Sequence, residues 1–600
     1  MTFTNALILF AIVYTLLFFI LYTIKEKRTD QDERRPLSRL QRALPATSFT
    51  ISAITLLLTV WSDFRESPPY YALMIASIAL VLASLSLGVR SKWVLPSVIL
   101  WHFALYLDTA PAVDIGGGEG VEMLRQLATE PHWEFQWAHN WNYNPLPTAA
   151  FIVAEMSRIM GVEWYRWTLQ WGFYAAWAVA YDIGIAMLTY ALTKDWRASA
   201  LSVILIAVTP MTPIDQDPYQ WSSNMLTILA LALIVKYLKR DTYWQNVAVA
   251  VLLFSGAILA HPTALSLPIV LFATLITSLL GRTILSRLIE VRWKITLIEL
   301  FYLSILTISY IAIFILIGIF TRGYSSNAFG VISGVINGVY NLVEKIFQHG
   351  ASATQATRGL SYVPLYEREG VSPLDAGIWA LALALATAYI LHRLLIKRKI
   401  DAIDLAIYAT AFLALGLTFI GYGLLHLPQF YPLNRTSYVF VPYIVPLAAY
   451  VLARAISIGR LNKITIIASI IAIAVMLLSA TTAISDPNIS PREYALIHGW
   501  PLVRTSVSDY IKANIIYKYL SINSITIASV KNYLAKIVYT SAGFKTAYIV
   551  TNNLAGALSN IAFIYNTPLY INVIDFNRTL IISNNIILNF KDQVVVTAAP

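Results

Sequence analysis

The 600-residue sequence contains no cysteine, which excludes thiol nucleophiles, Cys-ligated zinc, iron–sulfur clusters and disulfides. Charge is also scarce. Only 12% of residues are Asp, Glu, Lys or Arg, about half of the roughly 25% usual in soluble chains. The 58% hydrophobic fraction is arranged in runs too long for an aqueous core, so a single soluble domain is excluded and the chain belongs in a membrane. A basic stretch ahead of the first apolar run is missing too: Met-Thr-Phe-Thr-Asn-Ala precedes it and the charges follow it. This is the reverse of a cleaved signal peptide and is expected of a retained helix with its N-terminus outside.

A hydrocarbon core of about 30 Å needs about 20 apolar residues of helix. Runs of this kind lie at residues 3–23, 47–63, 70–89, 93–110, 165–192, 197–213, 219–237, 245–261, 263–280, 296–320, 373–396, 403–427, 434–456 and 462–484. Residues 146–160 form a shorter stretch interrupted by Glu155 and Arg158, expected to be re-entrant or to lie on the surface. Lys and Arg total 43 against 32 Asp and Glu, a net charge of +11. The basic clusters fall in alternate loops, among them Lys25 to Arg42, Lys194 and Arg197, Lys236 to Arg240, Arg393 to Lys399, and Arg454 to Lys463. Short cytoplasmic loops collect such charge. The excess therefore marks topology, with both termini outside, and leaves nucleic-acid binding without support.

From residue 485 the character changes. β-Branched runs at 524–529, 546–551, 568–574, 579–583 and 593–597 alternate with helical stretches at 505–520, 530–539 and 554–564, the signature of a small α/β domain. The expected fold class is mainly α: a polytopic helical bundle of about 14 spans with a small extracytoplasmic α/β C-terminal domain. The expected organisation is a three-span extension at 1–92, a membrane core at 93–484 with external segments at 108–145 and 321–372, and a soluble domain at 485–600. The expected location is the cell membrane.

Candidate chemistry gathers at the expected outer edge. The loop after the fourth run carries Asp108, Asp114, Glu119, Glu122, Glu130 and Glu134 with one arginine, Arg125. Gly116 to Gly118 permit a sharp turn after Asp114. The loop is read either as a solvated acidic loop or as a source of a catalytic carboxylate. Asp215 and Asp217 precede Pro218, where two carboxylates at i and i+2 can share a divalent cation such as Mg or Mn. A helix cap by Asp217 ahead of Pro218 fits the same residues. His261-Pro262 breaks an apolar run, and its histidine is read as a packing residue or a ligand contact. Arg435, followed by Tyr438, suits a phosphate or diphosphate because its planar fork makes paired charged hydrogen bonds; snorkelling to ordinary headgroups fits equally well. Trp133, Trp137, Trp141 and Tyr143 either anchor the loop in headgroups or stack on sugars.

These positions together resemble the GT-C class of integral-membrane glycosyltransferases, over about residues 93–484. Asp114 with Glu119 and Glu122 resembles the external loop of that class, Tyr143-Asn144-Pro145-Leu146-Pro147 its aromatic, proline-rich closing segment, Pro210 with Asp215 and Asp217 and the Leu259-Ala260-His261-Pro262 break its further edge motifs, and Arg435 with Tyr438 its lipid-phosphate-facing segment. The resemblance implies an inverting transfer from a polyprenyl- or dolichyl-phosphate-linked sugar, with Asp114 as base and Asp108 as a second candidate. The Trp-Trp-Asp-Tyr-Gly motif of oligosaccharyltransferases is missing from the C-terminal region, so en bloc transfer to asparagine is not expected. Asp114 is followed by Ile115 rather than by the glutamate usual in mannosyl- and aminoarabinosyl-transferases, which leaves sugar and acceptor open. Two readings of another class stand beside this one: a transporter or flippase, for which Asp182 and Glu155 are acidic residues in or beside spans, and a membrane anchor for a surface partner.

Overall fold

The computed structural model describes residues 12–13, 15–20, 39–59, 67–87, 89, 93–109, 159, 173–207, 218–239, 245–283, 297–320, 373–423, 433–456 and five strand segments between 525 and 598. Its helices are α1 (Arg39–Leu58), α2 (Pro68–Ser86), α3 (Val94–Thr109), α4 (Phe173–Thr193), α5 (Trp196–Ala207), α6 (Pro218–Leu238), α7 (Gln245–Ala260), α8 (Ser266–Thr283), α9 (Leu297–Phe320), α10 (Pro373–Leu391), α11 (Ala402–Gly423) and α12 (Leu433–Ile456). They occupy the second to the thirteenth of the apolar runs. The first run is described only in part. The last, together with 146–160 apart from Ile159, 321–372 and the C-terminal helical stretches, lies outside the described residues.

By length and composition, three segments among the described residues are long and apolar enough to cross a membrane: Pro68–Ser86, Thr263–Leu280 and Trp379–Ile396. Nine shorter apolar helices of 10–17 residues accompany them. The exterior is apolar where a soluble protein would be charged. On α9, Phe301, Ile305, Ile308, Ile311 and Ile315 are all exposed, a stripe at helical spacing that faces outward. Such a surface belongs in lipid, the chain being a membrane protein.

The chain divides into two compact units. The first comprises Met1–Thr109, Gln136–Thr148 and Tyr174–Pro501, and the second Ala110–Phe135, Ala149–Phe173 and Leu502–Pro600. In the first, α1 packs on α2 and α3, α6 on α7, α8 on α11, and α12 on α5, α10 and α11. Between helices in lipid there is no water to expel, so small residues and internal hydrogen bonds hold them together. Ser48 and Ser52 of α1 both reach the Ser77 hydroxyl of α2, at 3.3 and 2.5 Å, all three being fully buried. A Cβ on Gly184 would lie 3.2 Å from Leu229, and one on Gly256 3.3 Å from Leu226, so α4 and α7 approach α6 where they have no side chain. The indole Nε1 of buried Trp101 donates to the Met74 carbonyl at 3.1 Å.

Helix starts follow local chemistry. The hydroxyl of Ser67 accepts from the Tyr70 amide, and Pro68 and Pro69 occupy the first turn of α2, where no N–H is needed. Helix α7 ends at Ala260 because Pro262 cannot continue the ladder. His261 takes an extended conformation there and caps a 3-10 turn, Pro262–Leu265, that leads into α8.

In the second unit, the described strands are β1 (Ile525–Ser529), β2 (Tyr548–Thr551), β3 (Ile571–Asp575), β4 (Ile586–Phe590) and β5 (Gln593–Ala598). They form one sheet in the order β2-β1-β3-β5-β4. β1 runs parallel to β2 and β3, while β5 is antiparallel to β3 and β4. Phe590 pairs with Gln593 at one end of the antiparallel β4–β5 ladder. Strands at four of the five expected runs are present. Residues 579–583 lie outside the described residues, and β4 falls instead in the Ile586–Phe590 segment, which the pattern did not single out.

Candidate functional site

Helix direction organises the first unit, because one ionic network ties several helix ends together. The Lys239 ammonium, just past α6, donates to the Leu192 carbonyl at the end of α4 at 2.8 Å. It also meets Asp401 Oδ2 and Asp404 Oδ1, both at 3.2 Å, at the start of α11. The Tyr389 hydroxyl, near the end of α10, donates to the other Asp404 oxygen at 2.8 Å. Arg393 Nε donates to the Tyr389 hydroxyl at 3.3 Å. The Tyr389 ring lies edge-on to Tyr450 of α12 at 5.7 Å, and Arg454 lies over Tyr450 at 5.3 Å. Arg454 is 3.9 Å from Asp195, which caps α5 by accepting from the Arg197 amide at 2.9 Å and pairs with the Arg197 guanidinium at 3.2 Å.

The charges in this network are mutually compensated. Burial works against the Lys239 ammonium, yet Asp404 and Asp401 outweigh it and raise its pKa above the usual lysine range. Burial likewise opposes the Asp195 carboxylate, but Arg197, with a smaller contribution from Arg454, holds its pKa below the usual range. Lys194 is shifted the other way, its pKa lowered by burial and by Lys239 and Lys236. The ends of α4, α6, α10 and α12 and the starts of α5 and α11 therefore meet on one face.

Chain direction then fixes the other face. Helix α6 has 21 residues and α12 has 24, or about 32 and 36 Å at 1.5 Å per residue. Their starts lie at the end of the bundle opposite the network. The His261 break is found there as well. The Ser223 hydroxyl, in the second turn of α6, donates to the His261 carbonyl at 3.0 Å. It accepts from the Thr263 hydroxyl at 3.2 Å. The Thr263 amide donates to His261 Nδ1 at 3.2 Å. Further along, the Ser266 hydroxyl of α8 lies 2.6 Å from the Tyr443 hydroxyl of α12.

A second polar feature lies within the apolar helices. His102 Nδ1 of α3 is 2.8 and 2.9 Å from the two carboxylate oxygens of Asp182 of α4, and both residues are buried. Asp182 was visible in the sequence as an acidic residue in a span, but its partner was not. A single histidine eighty residues earlier carries no local signal, and helical periodicity does not say which helices touch. The Lys239 and Tyr443 contacts were missed for the same reason.

The sequence-predicted residues fall as follows. His261 is buried and joined to Thr263 and Ser223. Asp108 is in the last turn of α3, and Arg435 and Tyr438 are in the first two turns of α12; their side chains lie outside the described residues. Asp114, Glu119, Glu122, Tyr143, Asp215 and Asp217 lie outside them entirely, although α6 begins at Pro218, immediately after Asp217. Among the described residues no group of three or more His, Asp or Glu is placed to hold a metal ion.

No family model matches the chain, and no curated protein sequence matches it. Among solved structures it is similar to an oligosaccharyltransferase from Archaeoglobus fulgidus, crystallised with a disulfide-tethered acceptor peptide containing an Asn-Val-Thr sequon. The match has 11% identity and a TM-score of 0.46, and covers 81% of this chain and 69% of the other. A TM-score and identity this low do not establish a shared fold or activity.

Proposed function

We propose that the protein is a GT-C-like, multi-pass membrane glycosyltransferase that moves a sugar from a polyprenyl-phosphate-linked donor to an acceptor at the extracytoplasmic face of the cell membrane. One observation carries most weight. The Lys239 network gathers the basic ends of α4, α6, α10 and α12 on one face, and so supports placing the start of α6, the His261 break and the start of α12 together on the other. These are the positions singled out for chemistry by the carboxylates before Pro218, by His261 and by Arg435.

In this reading the Asp114 carboxylate takes the proton of an acceptor hydroxyl. The hydroxyl oxygen attacks the anomeric carbon from the side opposite the lipid phosphate, which inverts the centre. The bond from that carbon to the phosphate oxygen breaks with its electron pair on the phosphate, and the positive charge of Arg435 stabilises the departing group. A divalent cation on Asp215 and Asp217 would add to this charge. Glu122, Tyr143, His261 and Tyr438 contact the substrates, Glu119 belongs with Asp114 to the catalytic carboxylates, and Asp108 is the alternative base. In this reading the sheet of the second unit belongs to a small extracytoplasmic α/β domain. The absent Trp-Trp-Asp-Tyr-Gly motif favours transfer of a single sugar over transfer of a preassembled glycan.

The test is a transfer assay in nanodiscs with radiolabelled polyprenyl-phosphate sugars, extracted membrane acceptors, and a lipid-linked oligosaccharide with a sequon peptide. Label transferred from a monosaccharide donor supports the proposal. Transfer only from the oligosaccharide donor would make the protein an oligosaccharyltransferase, and no transfer from any donor would remove the enzyme reading. The buried His102–Asp182 pair favours a second reading, a transporter or flippase, because ionisable groups inside a membrane commonly line a path for solute. Flux of fluorescent lipid-linked sugar across proteoliposomes without chemical transfer would select it.

A further inference from the structure

Helix α12 carries two internal prolines, Pro442 and Pro446, spaced one turn apart. Each lacks an N–H, so the carbonyls four residues back, of Tyr438 and of Pro442, lose their helical donors. Two consecutive rungs of the backbone ladder are thus missing on one side of the helix, and residues 438–446 bend more easily than the helix on either side. Arg435 lies in the segment before this weak point, about 12 Å from Tyr443 along the axis at 1.5 Å per residue. The rest of α12 is held firmly: Tyr450 packs on Tyr389, and Arg454 is 3.9 Å from Asp195.

Tyr443 lies between the two prolines. Its hydroxyl is 2.6 Å from the Ser266 hydroxyl, and the residues are 1% and 4% exposed. The bond joins segments 177 residues apart in sequence. Ser266 is the first residue of α8, directly after the 3-10 turn that His261 caps. The contact therefore ties the weakened stretch of α12 to the break at the same end of the bundle. Removing either hydroxyl would leave the other polar group buried without this partner, and the weak point without this cross-link.

We propose that the Ser266–Tyr443 hydrogen bond is a latch across a two-proline hinge, and that Tyr443 is a positioning residue which holds the Arg435-bearing start of α12 in register with the His261 break for binding of the lipid-phosphate donor. The proposal rests on the reading that Arg435 meets the donor phosphate.

The test pairs kinetics with a distance measurement on the full chain in nanodiscs. Tyr443→Phe and Ser266→Ala should each raise the donor KM about tenfold, the equivalent of one buried hydrogen bond, with kcat changed less than about twofold. The double variant should be no worse than either single one, because both remove the same bond. A lowered melting temperature with an unchanged KM, or additive losses in the double variant, would reduce the bond to ordinary packing. If no donor is turned over, the latch is still decided by spin labels. The chain has no cysteine, so Thr436→Cys with Phe272→Cys gives one labelled pair. Either Tyr443→Phe or Ser266→Ala should broaden the distance distribution between α12 and α8, and an unchanged width in both would overturn the latch whatever the reaction.

Discussion

Lys239 offers a comparison across burial, since its ammonium lies 3.2 Å from two carboxylates, one exposed and one buried. The Asp401 side chain is 44% exposed and that of Asp404 2%. An exposed pair is screened and typically contributes about 0–1 kcal/mol. Removing one member of a buried pair costs about 3–5 kcal/mol, because the remaining charge is left uncompensated. Lys239→Met should therefore destabilise the protein by about 3 kcal/mol or more, and Asp401→Asn by less than about 1 kcal/mol. The double variant Lys239→Met with Asp404→Asn should recover most of the first loss, since the stranded carboxylate is gone. Intrinsic fluorescence of the 16 tryptophans during chemical unfolding in detergent gives the three values. The pH dependence supplies a check on sign. A lysine with a raised folded-state pKa stabilises fully below its unfolded value of about 10.4, and the gain disappears as pH rises through the folded value. The gap between wild type and Lys239→Met should thus be constant from pH 6 to 9 and close only in strong alkali. Equal small losses for Lys239→Met and Asp401→Asn would refute the argument that burial sets the strength of the network.

Three further outcomes follow from the same structure. His102→Ala should cost about 1–3 kcal/mol by leaving the buried Asp182 carboxyl without this hydrogen-bond partner, and adding Asp182→Asn should change the loss in the same unfolding assay, since the two side chains share one contact. Asp195→Asn should destabilise at neutral pH. Because the Asp195 pKa is depressed in the folded state, the wild-type advantage is present above the unfolded value of about 3.9 and should vanish as pH falls through the lower folded value. If Asp215 and Asp217 hold a cation, EDTA should suppress transfer by the wild type and added Mg or Mn should restore it. Full activity in EDTA would assign Asp217 to capping α6 alone.

Element positions were largely legible, and tertiary partners were not. The run predicted at 219–237 is α6 at Pro218–Leu238, and that at 434–456 is α12 at Leu433–Ile456, because apolar length and an initial proline are local signals. The run predicted at 47–63 begins earlier, at Arg39, and extends through Pro45. Hydropathy could not foresee that a basic first turn would be helical. The run at 373–396 ends in a π turn, His392–Ile396, a change of hydrogen-bond register that leaves no trace in composition. At the site, His261-Pro262 was legible as a break since proline forbids a continued ladder. Its anchoring to Ser223, the His102–Asp182 pair and the Ser266–Tyr443 bond depend on which helices pack together, and short polar residues in apolar runs do not encode that.

Separating donor binding from turnover tests the central proposal most directly. With a radiolabelled polyprenyl-phosphate sugar in single-turnover format, the wild type should bind the donor and release free polyprenyl phosphate as label moves to the acceptor. Asp114→Asn should bind the donor with similar affinity and slow the transfer step by at least about a hundredfold, the usual contribution of a general base, whereas Arg435→Ala should lose donor affinity. Unchanged single-turnover rates in Asp114→Asn and in Asp108→Asn alike would contradict the account.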